Sequence, residues 1–164
     1  MKTETFDTKF KGLDEWEDAQ ILDAMLGAQE AGIAAVRTIL PDIEKAAVAA
    51  AGRLKKSNGR LIYAEAATPA RLGVQDGVEL TPTIGLPTAR LAYAIAGGEE
   101  ALLHAVENAE DDIEQAGRDL QAIAPGMHDV CIAVSASGRT PYTVEICRLA
   151  REAGALTIGI SSNE

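Results

Sequence analysis

A chain of 164 residues and 17.2 kDa, with 47% hydrophobic and 24% charged residues, has the make-up of one soluble globular protein and excludes wholesale disorder, collagen and low-complexity classes. Its formal net charge of -10 argues against a nucleic-acid partner. It does not exclude a small phosphorylated ligand, because backbone N–H groups at a helix start can bind an anion whatever the global charge. The longest stretch without Asp, Glu, Lys or Arg, Ala153–Asn163, is too short to span a membrane. The opening MKTETFDTKFKG lacks the apolar segment of a secretory signal, and Cys131 and Cys147 make no disulfide framework. A cytoplasmic protein with reduced thiols is therefore expected. His104, His128 and the two cysteines have no metal-ligand spacing, so no metal is expected.

Along the chain, residues 1 to about 13 read as a polar arm. Ile21, Leu22, Met25 and Leu26 fall at helical spacing and predict a helix over Glu15–Glu30. A second helical stretch covers Gly32–Lys56, broken or kinked at Pro41, and Ser57-Asn58-Gly59 stops it. Four short apolar runs then predict strands: Arg60–Ala64, Arg90–Ala96, Asp129–Val134 and Leu156–Ile160. Helices are expected between them over Glu99–Asp111, Ile113–Ile123 and Tyr142–Ala153. Strands alternating with helices indicate an α/β protein with a parallel sheet and helices on both faces. The division expected is an N-terminal arm with helices over 1–56 and a sheet-bearing core over 57–164.

In open α/β sheets ligands bind beyond the carboxyl ends of the strands, which directs attention to the loops after Ala64, Ala96, Val134 and Ile160. After Val134 comes Ser135-Ala136-Ser137-Gly138-Arg139-Thr140-Pro141-Tyr142. Small and hydroxylic residues stand where a strand turns into a helix, and Pro141 suits a first helical turn, where its missing N–H costs nothing. Such a turn can hold a phosphate with hydroxyls and free N–H groups, or be an ordinary helix cap.

This octapeptide closely resembles the signature of the N-acetylmuramic acid 6-phosphate etherases, a group within the sugar isomerase (SIS) superfamily. Further segments are similar in the same order: Gly59–Tyr63, Thr68 with Arg71-Leu72-Gly73, Asp76, Glu79, Pro82-Thr83, Ile95–Gly98, Ala105–Asp111, Thr157–Ser161 and Asn163. The resemblance implies a SIS-like three-layer α/β/α sandwich preceded by N-terminal helices. It implies cleavage of the D-lactyl ether of N-acetylmuramic acid 6-phosphate to N-acetylglucosamine 6-phosphate and D-lactate, with no metal or organic cofactor. By the same resemblance Glu79 is the acid that assists lactate departure and Glu110 the base at C2, while Ser137, Gly138, Arg139, Thr140, Thr68 and Arg71 hold the phosphosugar. A homodimer is implied as well. A non-catalytic SIS module that binds a phosphosugar is the alternative.

Two departures stand out. In the first loop, Glu65-Ala66-Ala67-Thr68-Pro69-Ala70 carries alanines where the family has glycines, Pro69 where it has a hydroxyl, and an added acid in Glu65. A SIS sheet also has five strands, whereas four are legible here.

Overall fold

The computed structural model describes residues 5–55 and 58–163. Ser57 of the expected helix stop, and the expected boundary at 56/57, lie outside the described residues. Among the described residues, those up to Val48 form one compact unit and those from Ala49 onward another.

In the N-terminal unit a short turn at Thr8–Phe10 is capped by the Asp7 side chain, and a second covers Leu13–Glu15. Helix α1 then runs over Asp18–Thr38 and α2 starts at Leu40 and ends at Leu54. Glu17 and Gln20 form a reciprocal capping box at the start of α1, which satisfies two otherwise orphaned N–H groups. The expected break near Pro41 is present. It falls at Ile39, and Pro41 sits in the first turn of α2, where its missing N–H costs nothing. Gly32, by contrast, does not end a helix; α1 runs through it.

The second unit is built on four parallel strands: β1 (Leu61–Glu65), β2 (Leu91–Ile95), β3 (Val130–Val134) and β4 (Leu156–Ile160). They lie in the order β2-β1-β3-β4. Leu61 stands opposite Leu91 on one side and Val130 on the other, and Val130 stands opposite Leu156. Each strand agrees with its expected run to within a residue or two; β1, buried at every position, shows why, since a strand buried on both faces is a continuous apolar run.

Period-two alternation sends successive side chains to opposite faces. Ile62 and Ala64 of β1, with Cys131 and Ala133 of β3, meet α5 (Ile113–Ile123) and α6 (Pro141–Glu152). Ala116, Ala150 and the ring of Tyr142 complete that layer. On the other face Leu61, Tyr63 and Val130 pack with Leu80 of α3 (Ala67–Ile84) and with Ala50 and Leu54 at the end of α2. The result is a three-layer α/β/α arrangement. Many of the contact positions are alanine, so helices can approach the sheet closely without large side chains between them.

Helix α3 was not legible as a helix in the sequence. Its buried residues are Ala70, Gly73 and Gly77. Glycine reads as a breaker, yet here it lets a helix lie directly on tyrosines. The expected helix over Glu99–Asp111 is a second correction. Only α4, Glu100–Leu103, is helical. His104 is extended (φ -125°, ψ 158°) and Asn108 is left-handed (φ 60°) before a single turn at Ala109–Asp111. The segment folds back over Gly97, where an added Cβ would lie 3.0 Å from Val106 Cβ and 3.2 Å from Ala109 Cβ.

At the amino ends of the strands, arginines tie the layers together. Arg60 donates to Asp129 Oδ2 (2.8 Å) and to the carbonyls of Ile123 (2.9 Å) and Ala124 (2.9 Å). Arg90 donates to the carbonyls of Gly59 (2.7 Å) and Leu54 (2.6 Å). Burial alone would raise the Asp129 carboxyl. The hydrogen bonds from Arg60 and from the backbone N–H groups of Arg60 and Gly126 outweigh it and hold the group below its usual value of 3.8. Because the folded value is depressed, this stabilisation is present at neutral pH and lost as pH falls through the folded value. Asp129→Ala should destabilise by about 2–3 kcal/mol at pH 7, since it leaves a half-buried guanidinium and two N–H groups short of acceptors. Urea unfolding checks this: the midpoints of wild type and variant should converge below about pH 4.

Candidate functional site

Because all strands run the same way, β1, β2 and β3 end on one edge of the sheet. Helix α3 leaves β1 toward one face and α6 leaves β3 toward the other, which opens a crevice between their starts. Both helices have first-turn N–H groups with no intrahelical acceptor.

The loop from Ser135 to Thr140 is organised around a buried hydroxyl. Ser135 Oγ lies 2.9 Å from Thr140 Oγ1 and 3.2 Å from Ser137 Oγ, and it accepts from Gly138 N at 3.1 Å. Ser137 Oγ accepts from Arg139 N at 3.1 Å. Gly138 is left-handed (φ 72°), with an added Cβ meeting Ser161 Cβ at 3.1 Å, so glycine is required there on two counts. The loop after β4 braces it from behind: Asn163 Nδ2 donates to the carbonyls of Ala136 (3.2 Å) and Ser137 (3.3 Å). Ser137 and Thr140 are half-buried, and Arg139 is exposed on the rim. The sequence singled out Ser137 and Thr140 but not Ser135, the hub that joins them. Its signal was its place within the same octapeptide.

Beside this loop, the turn Ala109–Asp111 packs against α6. It carries Glu110, which is exposed and lines a cleft of about 280 Å³ together with Ala67, Arg71, Ala96, His104 and Asn108. Arg71 stands at the cleft but is already engaged. Its Nε donates to the Leu102 carbonyl (2.8 Å) and its Nη2 to that of Ala101 (3.1 Å), which ties α3 to α4. His104 lines the same cleft from the end of α4 rather than from a shared helix with Glu110. Thr68 is exposed in the first turn of α3.

Glu79 is placed differently. It is exposed on α3, and at 1.5 Å per residue it stands roughly 18 Å along the helix from Ala67. It is not among the residues lining the Glu110 cleft. One chain therefore brings Ser137, Gly138, Thr140, Arg71 and Glu110 toward one edge and leaves Glu79 outside that cleft.

The family model for the glucokinase regulatory protein N-terminal SIS domain matches residues 36–151. The chain belongs to the SIS-domain family. Its sequence is similar to N-acetylmuramic acid 6-phosphate etherases. It is 43% identical to that enzyme of Deinococcus radiodurans over 99% of this chain and 53% of the relative. It is 42% identical to that of Geobacillus thermodenitrificans over 100% of this chain and 55% of the relative. The chain thus spans about half the length of the curated relatives it matches. Phosphoheptose isomerase GmhA from Neisseria gonorrhoeae superposes with a TM-score of 0.62 at 16% identity, covering 87% of this chain and 73% of that one, which shows a common SIS fold.

The start of α3 bears the mark of the altered first loop. Ala67 has φ 54°, a left-handed conformation that is strained for any residue with a Cβ, and α3 has no side-chain cap. Ala67→Gly should remove the strain and stabilise the protein by about 1 kcal/mol, seen as a rise of about 2–4 °C in Tm. An unchanged or lowered Tm in calorimetry would contradict it.

Proposed function

We propose that this SIS domain belongs to a cytoplasmic, carbon–oxygen lyase that cleaves the D-lactyl ether of N-acetylmuramic acid 6-phosphate in cell-wall sugar recycling. The observation that carries this reading is the hydroxyl-lined start of α6 standing beside the Glu110 turn at the carboxyl ends of parallel strands. The dianionic 6-phosphate would sit over Ser137, Gly138 and Thr140, held by hydroxyls and by the N–H groups that open α6, with Arg139 on the rim. Thr68 and the first turn of α3 would contact the sugar from the opposite wall of the crevice.

With the phosphate so fixed, the ring reaches toward Glu110. As base, Glu110 would take the C2 proton, acidified by the C1 aldehyde of the open sugar. As acid, Glu79 would protonate the ether oxygen as the C3–O bond breaks and D-lactate leaves. Water then adds at C3, giving N-acetylglucosamine 6-phosphate. Because Glu79 stands roughly 12 Å along α3 from Arg71, the nearest α3 residue of the cleft wall, the acid at one site would come from the second chain of a homodimer. The altered α3 start favours a second reading, a SIS module that binds the phosphosugar without turnover.

Release of D-lactate from N-acetylmuramic acid 6-phosphate tests the first reading, and binding without release supports the second. Ser137→Ala should raise KM by roughly 10–150-fold through loss of one charge-assisted hydrogen bond. Glu79→Gln and Glu110→Gln should each lower kcat by roughly 10²–10⁴-fold. Mixing and re-forming dimers from the two inactive variants should restore activity in roughly a quarter of the sites, because one site of each mixed dimer is intact. No recovery on mixing would remove the shared site.

A further inference from the structure

Strand β1 sends Leu61, Tyr63 and Glu65 to the face covered by α3. Two of these are apolar or aromatic; the third is a carboxyl only 2% exposed. Helix α3 lies directly on it. A Cβ added at Gly73 would overlap the Glu65 carboxyl, and one added at Gly77, one turn on, would overlap the Tyr93 hydroxyl. The height of α3 above the sheet is therefore set by Glu65 and Tyr93, and glycines at the two contact points permit it.

Among the described residues no cation is placed against Glu65. From α3 it faces Asp76 and the Gly73 backbone N–H. From β1 comes Tyr63, whose hydroxyl donates to Asp76 Oδ2. From β2 comes Tyr93, stacked on Tyr63 with ring centroids 5.8 Å apart and its own hydroxyl buried without a partner. The flanking strand partners Ile95 and Val134 are apolar. Arg71 turns away to the carbonyls of α4.

We infer that Glu65 is a positioning residue: its buried carboxyl, seated between the sheet and the Gly73 backbone beside Asp76, sets how α3 rests on β1 and β2 and hence where Ala67, Arg71 and Glu79 stand. That this matters for lactate release rests on the etherase reading above; that it governs the seating of α3 does not. Burial and the Asp76 charge push the Glu65 carboxyl up to about 7, whereas the Gly73 N–H pulls it down by less. The folded value lies above the usual 4.5, so protonation favours the seated helix. Stability from this group is complete below about pH 4.5 and is lost as pH rises through about 7.

Amide hydrogen exchange of α3 peptides, corrected for intrinsic rates, reads the seating directly. Between pH 6 and 8 the protection of α3 should fall roughly tenfold in wild type and stay level in Glu65→Gln, whose amide oxygen still accepts from Gly73. Asp76→Asn, which keeps Glu65 but removes its charged neighbour, should move the step to lower pH, and it serves as the second arm should Glu65→Gln fail to fold. The kcat/KM for D-lactate release should show a step at the same pH in wild type and none in Glu65→Gln. Equal pH responses in wild type and Glu65→Gln, or no response in wild type, overturn the inference. A wild-type step in exchange with no lactate released by any form overturns the etherase reading instead.

Discussion

Parallel pairing of β1 with both of its neighbours is the constraint from which the site follows. Strand β1 lies at the centre, with β2 on one side and β3 on the other. The chain passes from β1 to β2 by way of α3, then crosses back over β1 through α5 to reach β3. Right-handed crossovers in opposite directions must use opposite faces of the sheet. Helices α3 and α6 therefore start from adjacent strand ends and diverge. The gap left between their amino ends is a place where first-turn N–H groups converge. Nothing about a particular ligand is needed to create it; in the proposed function the hydroxyls of Ser137 and Thr140, gathered on Ser135, select the ligand.

The opposite edge of the sheet does different work. There Arg53, Arg60 and Arg90 donate to backbone carbonyls of Met127 and Gly154, of Ile123 and Ala124, and of Gly59 and Leu54. Each carbonyl lies at a helix end or a loop, where it would otherwise lack a partner. The interior between the two edges is mostly alanine, with Tyr142 and Ile146 as its largest fully buried members besides Ile62 and Val130. Small side chains give little apolar area per residue, so the polar pins at the amino edge weigh more here than in an aromatic-rich core. At the carboxyl edge the corresponding pins, Arg71 to Ala101 and Leu102 and Asn163 to Ala136 and Ser137, stand at the margins of the crevice.

The sheet was legible in the sequence because buried parallel strands have no alternative reading. Arg60–Ala64 and Asp129–Val134 are short, apolar and flanked by turn residues. The octapeptide after Val134 was legible for the same reason: hydroxyls, glycine and proline in a strand-to-helix turn suit few other purposes. Helix α3 was hidden because Gly73 and Gly77, which look like breakers, are the residues that let it touch Tyr93 and Glu65. The stretch around Glu110 misled in the opposite sense. Glu99–Asp111 has a helical composition, but Asn108 in a left-handed conformation and the packing of Val106 over Gly97 turn it back to the end of β2. The separation of Glu79 from the Glu110 cleft could not be read at all, since it depends on how far α3 extends.

That separation bears on how proton transfer could work. An acid and a base sharing one substrate need environments that differ in polarity and exclude bulk water. In one chain Glu110 and Glu79 are both exposed, so neither has such an environment. The phosphate loop, by contrast, is complete within one chain: Ser135 is buried, Gly138 has its required conformation, and Asn163 closes the back. The proposed anion loop and the proposed acid–base pair are thus built to different degrees of completion. On the etherase reading proposed above, one chain supplies the phosphate loop, and the chemistry at C2 and C3 would need a second surface laid over Glu110 that brings Glu79 with it. In that proposal a site shared between two copies would answer both needs with one contact, because the surface that supplies the acid would also exclude water from the base.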